Sequence, residues 1–128
     1  MDKSLSYLAL ARKAGLAELG EEPACNASNA GKAKLIVVAS DAADHTWRKA
    51  KSLVSGKDQQ LVRLPYTKDE LGFAIGRTSL AIAAITDAGI AASLVEALGQ
   101  PELADIVQAL KACAKQRKST GKTKKKEH

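Results

Sequence analysis

The apolar run Leu35–Val38 is the clearest structural signal in the chain. Four aliphatic residues in a row, three of them β-branched, are typical of a strand that is covered on both faces. Polar residues bound the run, with Lys32 and Lys34 before it and Ser40 and Asp41 after it. We therefore predict a central strand that lies between layers of helices.

Shorter apolar runs and helical periodicities alternate on both sides of this strand. Apolar spacing and glycine stops predict helices over 4–14, 21–30, 43–55, 68–75 and 88–98, and strands over 16–19, 61–64 and 80–85. The segment 67–70 (Thr-Lys-Asp-Glu) has the pattern of a capping box, and Asp87 is a candidate N-cap. Alternating helices and strands predict an α/β layered sandwich with a mixed sheet of about four strands.

The last 29 residues differ in character from the rest of the chain. Gln100 and Pro101 begin an extra amphipathic helix over 100–116, and residues 117–128 contain no apolar side chain, which predicts disorder. The sequence thus divides into a domain at 1–99, a helix and a tail. The apolar stripe of the helix either folds back on the domain or binds a partner; its members are Leu103, Ile106, Val107 and Leu110.

The positive charge of the protein belongs to its C-terminal end. The net charge is +6, but residues 111–128 carry eight basic side chains against one acidic, whereas residues 1–110 carry twelve basic against thirteen acidic. A lysine-rich segment either contacts phosphates or is simply a solvated extension. We favour phosphate contacts by Lys118, Lys122, Lys124, Lys125 and Lys126.

Several classes of protein are disfavoured by what the sequence contains. Its apolar runs are shorter than the roughly 20 residues that span a bilayer, and its start lacks a signal pattern, so we expect a cytoplasmic protein without membrane contact. Cys25 and Cys113 are expected to be free thiols, because no CxxC pair suggests zinc and a reducing compartment disfavours disulfides.

Candidate catalytic groups are also missing. His45 has no nearby nucleophile in sequence, and the only other histidine is His128. The segment 72–78 has one residue too few between its glycines for a phosphate-binding loop, and Arg77 stands where a lysine is required. We therefore expect a protein that is not an enzyme and that uses no metal or cofactor.

The order of elements and several short motifs together resemble a known family. The pieces are ALARKAG at 9–15, a glycine and two glutamates at 20–22, GKAKLIVVASD at 31–41, YTKDELG at 66–72 and the Thr-Asp pair at 86–87. Over residues 4–98 they are similar to the ribosomal protein family that contains L-seven-Ae and L-thirty-e, and most of all to its short bacterial branch, often called YlxQ-like.

This resemblance implies a three-layer α-β-α sandwich and binding of kink-turn or ribosomal RNA, with ribosomal proteins as possible further partners. In that family a helix N-terminus faces the RNA, which suits phosphate, and a lysine donates to guanine edges. Carried over position by position, the resemblance implies a site formed by Gly20, Glu22, Asn26, Lys32, Lys34, Asp41, Arg77 and Thr78.

Part of the family's motif is changed in this chain. Gly20 and its spacing to Gly31 match, but Glu22, Pro23 and Asn26 occupy the positions where kink-turn binders have asparagine, glutamate and lysine. Carboxylates there would face the RNA backbone, which is unfavourable at low salt. The sequence thus predicts a non-catalytic, ribosomal-protein-like RNA-binding protein; the alternative is a protein-interaction or adaptor module on the same fold.

Overall fold

The computed structural model describes residues 2–126, and it describes side chains as far as Lys115. The helices of the domain are α1 (Lys3–Lys13), α2 (Glu21–Asn29), α3 (Asp44–Val54), α4 (Lys68–Ala74) and α5 (Ala88–Ala97). The strands are β1 (Ala17–Leu19), β2 (Leu35–Val38), β3 (Gln60–Arg63) and β4 (Ile82–Ile85). A short 3-10 helix (Pro101–Leu103) then leads into α6 (Ala104–Lys126).

The four strands form one mixed sheet in the order β1-β4-β2-β3. β2 pairs in parallel with β3 and antiparallel with β4, and β1 pairs antiparallel with β4. The prediction of an α/β sandwich built on a mixed sheet of about four strands is confirmed. The centre of the sheet is β2, which is completely buried, as its unbroken apolar run predicts.

Two hydrophobic clusters lie on opposite faces of the sheet. Leu35 and Val37 point into a larger cluster with α1, α4, α5 and α6, whereas Ile36 and Val38 point into a smaller one with α2 and α3. The side chains of a strand alternate between faces, so one four-residue strand serves both clusters. Together the clusters make a three-layer α-β-α arrangement.

The predicted caps are present and fix two helix starts. The Thr67 hydroxyl accepts from the Glu70 amide at 3.2 Å, and the Glu70 carboxylate accepts from the Thr67 amide at 2.8 Å. Asp87 Oδ2 accepts from the Ile90 amide at 2.9 Å. The prediction that Asp69 and Glu70 belong to a helix start is thus consistent with their place in the first turn of α4.

The C-terminal helix packs on the domain. Val107 and Leu110 are buried in the larger cluster, and Leu103 and Ile106 pack against it while partly exposed. Of the two uses left open for this stripe, the structure therefore supports folding back. The helix is assigned as far as Lys126, and the prediction of a disordered tail over 117–128 stays a prediction. The predicted tail contacts lie outside the described side chains.

Candidate nucleic-acid interface

Five of the eight candidate residues lie at one edge of the sheet, the edge at which the ends of the strands meet. β2 and β3 both end there, β1 ends there because it is antiparallel to β4, and β4 begins there. The Gly20 amide donates to the Ile82 carbonyl at 2.9 Å, and the Ala39 amide donates to the Ala81 carbonyl at 2.9 Å. We call this the Gly20 edge; it carries Gly20, Glu22, Asp41, Arg77 and Thr78.

Gly20 sets the direction in which α2 leaves the sheet. Its φ of 102° is one that residues with a side chain rarely adopt, so glycine is needed here. Glu21 and Glu22 follow in the first turn and are exposed. Their carboxylates favour the positive end of the helix dipole, and they also give this end of α2 a negative charge.

Asp41 has a structural partner at the same edge. Its Oδ1 accepts a hydrogen bond from the backbone amide of Lys68 at 2.8 Å, at the first residue of α4. The carboxylate therefore ties the end of β2 to the beginning of α4. A negative charge at a helix start is also favourable for the helix.

Tyr66 adds a second link beside Asp41. Its carbonyl accepts from the Ser40 amide at 2.8 Å, and its hydroxyl donates to Asp2 Oδ2 at 2.6 Å. Burial raises the pKa of the Tyr66 hydroxyl, and the hydrogen bond to Asp2 raises it further. The hydroxyl thus stays protonated and keeps the start of the chain at the Gly20 edge.

The loop between α4 and β4 is held against α4 by its backbone. The Arg77 amide donates to the Gly72 carbonyl at 2.8 Å, and the Leu80 amide donates to the Lys68 carbonyl at 3.0 Å. Arg77 and Thr78 are both exposed. Within the described part of the chain, the Arg77 side chain has neither a hydrogen bond nor an ion pair, so its charge is available to a ligand.

The other three candidates are not at the Gly20 edge. Lys32 and Lys34 follow α2 and lie where β2 begins, at the opposite edge of the sheet, and the Lys34 carbonyl accepts from the Gln60 amide at 3.1 Å. Asn26, in the second half of α2, lines an open cleft of about 480 Å³ together with Lys32, Glu18 and Thr86. The structure thus divides the eight candidate residues between the two ends of the sheet, and their part in RNA binding stays a prediction.

A second cleft, of about 370 Å³, lies beside Lys34. Its floor is a closed network: Ser28 Oγ donates to Gln59 Oε1 at 2.7 Å, Gln59 Nε2 donates to the Ser28 carbonyl at 3.0 Å, and Lys57 Nζ donates to Asn29 Oδ1 at 3.1 Å. These bonds tie the end of α2 to the segment before β3. They satisfy one another, so the network has a structural role.

Sequence reasoning missed Phe73, whose side chain is 83% exposed. It lies on α4 beside the loop, because the Gly76 amide donates to its carbonyl. Helical spacing gives a signal: the buried positions Leu71 and Ile75 are four residues apart, and Phe73 falls between them on the other side of the helix. This large exposed aromatic side chain lies on the helix against which the Arg77 loop packs.

We expect Phe73→Ser to change the free energy of unfolding by less than about 0.5 kcal/mol, because the ring buries little area. Leu71, two residues earlier and fully buried, is the matched control, and Leu71→Ala should cost about 2–5 kcal/mol. Urea denaturation of both variants checks this. An equal loss in the two variants would contradict the assigned orientation of α4.

No group of three or more histidine, cysteine, aspartate or glutamate side chains that could hold a metal ion occurs among the described residues. In the same part of the chain, no helix is long and apolar enough to cross a membrane. Cys25 and Cys113 are unpaired and half-buried.

Comparisons with known proteins define the fold class but not a family. No model of a known protein family matches the chain, and a search of curated proteins also found no match. Among solved structures, the chain is similar to a Bacillus halodurans protein of unknown function, with 28% identity and a TM-score of 0.72 over 78% of this chain and all of that one. It is also similar to a 15.5 kD RNA-binding protein of Giardia lamblia, with 22% identity and a TM-score of 0.62 over 84% of this chain and 87% of that one.

Proposed function

We propose that this chain is a non-catalytic, cytoplasmic RNA-binding protein of the ribosomal protein family that contains L-seven-Ae and L-thirty-e. The observation that carries the proposal is the Gly20 edge. There a glycine-started helix, a loop with an unpaired arginine and the end of the central strand meet. The structural likeness to the Giardia RNA-binding protein supports the proposal at the level of the fold.

The charges at the Gly20 edge indicate how RNA would be bound there. Backbone amides at the start of α2 and the Arg77 guanidinium suit phosphate oxygens. Glu21, Glu22 and Asp41 oppose a phosphate chain. We therefore propose contacts with structured or ribosomal RNA that combine shape recognition at this edge with a strongly salt-dependent electrostatic component.

The alternative is a protein-interaction or adaptor module on the same fold, with the α6 stripe as a candidate surface, of which Leu103 and Ile106 are partly exposed. Val107 and Leu110 are buried against the domain and are not available to a partner. Ribosomal proteins remain proposed as neighbours in a ribonucleoprotein, not as ligands of this stripe.

A titration of the full chain with two labelled RNAs tests the proposed function. One RNA contains a kink-turn, and the other is a plain duplex of equal length; both are measured at 50 and 200 mM salt. We expect the kink-turn RNA to bind more tightly than the non-specific range of about 10⁻⁴–10⁻⁶ M, with the preference kept at the higher salt. Failure to bind either RNA, or equal binding of the two RNAs, would overturn the proposal.

A further inference from the structure

A cluster of basic side chains lies on α3 and β3, at the outer strand of the sheet. It consists of Arg48, Lys51 and Arg63, all of them exposed. We call it the α3–β3 basic surface. It belongs to the side of the sheet covered by α2 and α3, and β3 is an edge strand.

Two of these cations lie close to the ring of Trp47. The Arg63 guanidinium carbon lies 4.4 Å from the centroid of the Trp47 ring, and Lys51 Nζ lies 6.0 Å from it. The ring is half-buried and packs against the smaller hydrophobic cluster, so its position is restricted by this packing. The Arg63 guanidinium lies over the ring and forms no hydrogen bond or ion pair with the described residues, so its N–H donors remain free for phosphate oxygens.

The cations of this surface have no partner in an ion pair. Among the described residues, none of the three is paired with a carboxylate, and the ion pair found there joins Glu96 on α5 to Lys111 on α6. Asp44 is the only acidic residue of α3. Like charges at neighbouring helix positions, such as Arg48 and Lys51, are mildly destabilising unless a partner neutralises them.

The distribution of charge over the domain identifies the partner's chemistry. Residues 1–110 carry one more acidic than basic side chain, so this positive surface is a local excess on a body that is otherwise slightly acidic. An unpaired, partly preorganised cluster of guanidinium and ammonium groups is complementary to a polyanion. Arginine in particular suits the geometry of phosphate oxygens.

We propose that the α3–β3 basic surface binds the phosphate backbone of RNA. This inference rests on the proposed function and adds to it, because the Gly20 edge bears Glu21, Glu22 and Asp41 and offers little positive charge of its own. RNA that reaches the edge extends across the end of the sheet to Arg63, which stands at the same end of β3.

The test removes two cations from the full chain and measures the salt dependence of RNA binding. Arg48→Gln/Lys51→Gln keeps good helix formers at exposed positions, so the fold is retained. Binding to an RNA duplex is measured over a series of salt concentrations. We expect at least a tenfold loss of affinity at low salt and a slope of log K against log salt that is lower by about 2.

Arg12→Gln/Lys13→Gln is the matched control. It removes the same charge from exposed positions of α1, on the opposite face of the sheet. Both variants lose the same long-range attraction, so any difference between them reports local contact with RNA. The control should therefore lose less than about threefold in affinity and keep its slope. Arg63→Lys keeps the charge but loses the guanidinium that lies over the Trp47 ring, and it should weaken binding by about threefold without a change of slope.

The outcomes separate this inference from the proposed function. If the full chain binds no RNA, the proposed function fails first. If it binds RNA and the α3 and α1 variants lose affinity equally, RNA binding stands and the α3–β3 basic surface is refuted. Polyglutamate and unlabelled RNA are also compared as competitors at the same concentration of charge. If polyglutamate displaces labelled RNA from the full chain equally well, but no longer does so from the α3 variant, the surface binds an acidic protein instead.

Discussion

Leu110→Ala is expected to lower the free energy of unfolding of the full chain by about 2–4 kcal/mol. Leu110 is 2% exposed and belongs to the larger hydrophobic cluster, which also contains residues of α5. Its removal leaves a cavity between α6 and the domain, so hydrophobic transfer energy and packing are both lost. Chemical denaturation followed by circular dichroism measures the change.

Gln108→Ala is the control for this substitution, because Gln108 is exposed on the same helix. It should change stability by less than about 0.5 kcal/mol. A neutral Leu110→Ala would show that α6 does not depend on the domain. The whole apolar stripe would then be available to a partner, and this result would favour the adaptor function.

Gly72→Ala is expected to destabilise the protein by about 2–3 kcal/mol. In an ordinary helix interior this change would stabilise by about 0.5–1 kcal/mol, so the predicted sign is reversed. A Cβ at position 72 would lie 2.5 Å from Ser79 Cα, 2.6 Å from Ser79 N and 2.8 Å from the Thr78 carbonyl carbon. These are backbone atoms that no rotamer change can move aside, so the loop must shift.

The loop that moves carries Arg77 and Thr78, so Gly72→Ala should also weaken RNA binding. Gly89→Ala is the comparison within a helix: its Cβ would lie 3.3 Å from Asp87 Oδ2, the oxygen that caps α5, and no backbone atom is as close. We expect a cost of at most about 1 kcal/mol there, the value of a weakened N-cap, which is smaller than the cost at Gly72. Stabilisation by Gly72→Ala would contradict the close packing of the loop on α4.

The elements of the fold were predictable because local rules specify them. The unbroken aliphatic run of β2, the capping box at Thr67 and the N-cap at Asp87 each depend on residues a few positions apart. The predicted strand over 80–85 is shorter in the structure, where β4 begins at Ile82. Leu80 is buried but belongs to the loop, because its amide donates to the Lys68 carbonyl instead of to a neighbouring strand.

The candidate site was predicted less well, for a geometric reason. α2 has nine residues and is therefore about 13 Å long, so Gly20 before it and Lys32 after it lie at opposite ends of the sheet. The sequence resemblance assigns both residues to one site, but in the structure α2 lies between them. The resemblance supplied positions one by one, and only the strand order shows which of these positions share an edge.

Tertiary contacts also changed the interpretation of single residues. Gly72 suggested a weak phosphate-loop motif, but the structure explains it by the approach of the loop backbone. The stacking of Arg63 on Trp47 joins β3 to α3 over 16 positions of sequence, and no local pattern predicts it.

Comparing RNA binding by the full chain with binding by residues 1–115 tests the central claim most directly. The shorter chain keeps the domain and the buried part of α6 but lacks the lysine-rich end. If the folded body recognises RNA, residues 1–115 should bind more weakly and with a smaller salt slope, yet still prefer the kink-turn RNA to the duplex. Complete loss of binding by residues 1–115 would contradict the claim and assign the RNA contact to the tail alone. Equal binding of both RNAs would contradict it too, because the folded body would then bind RNA without recognising its shape.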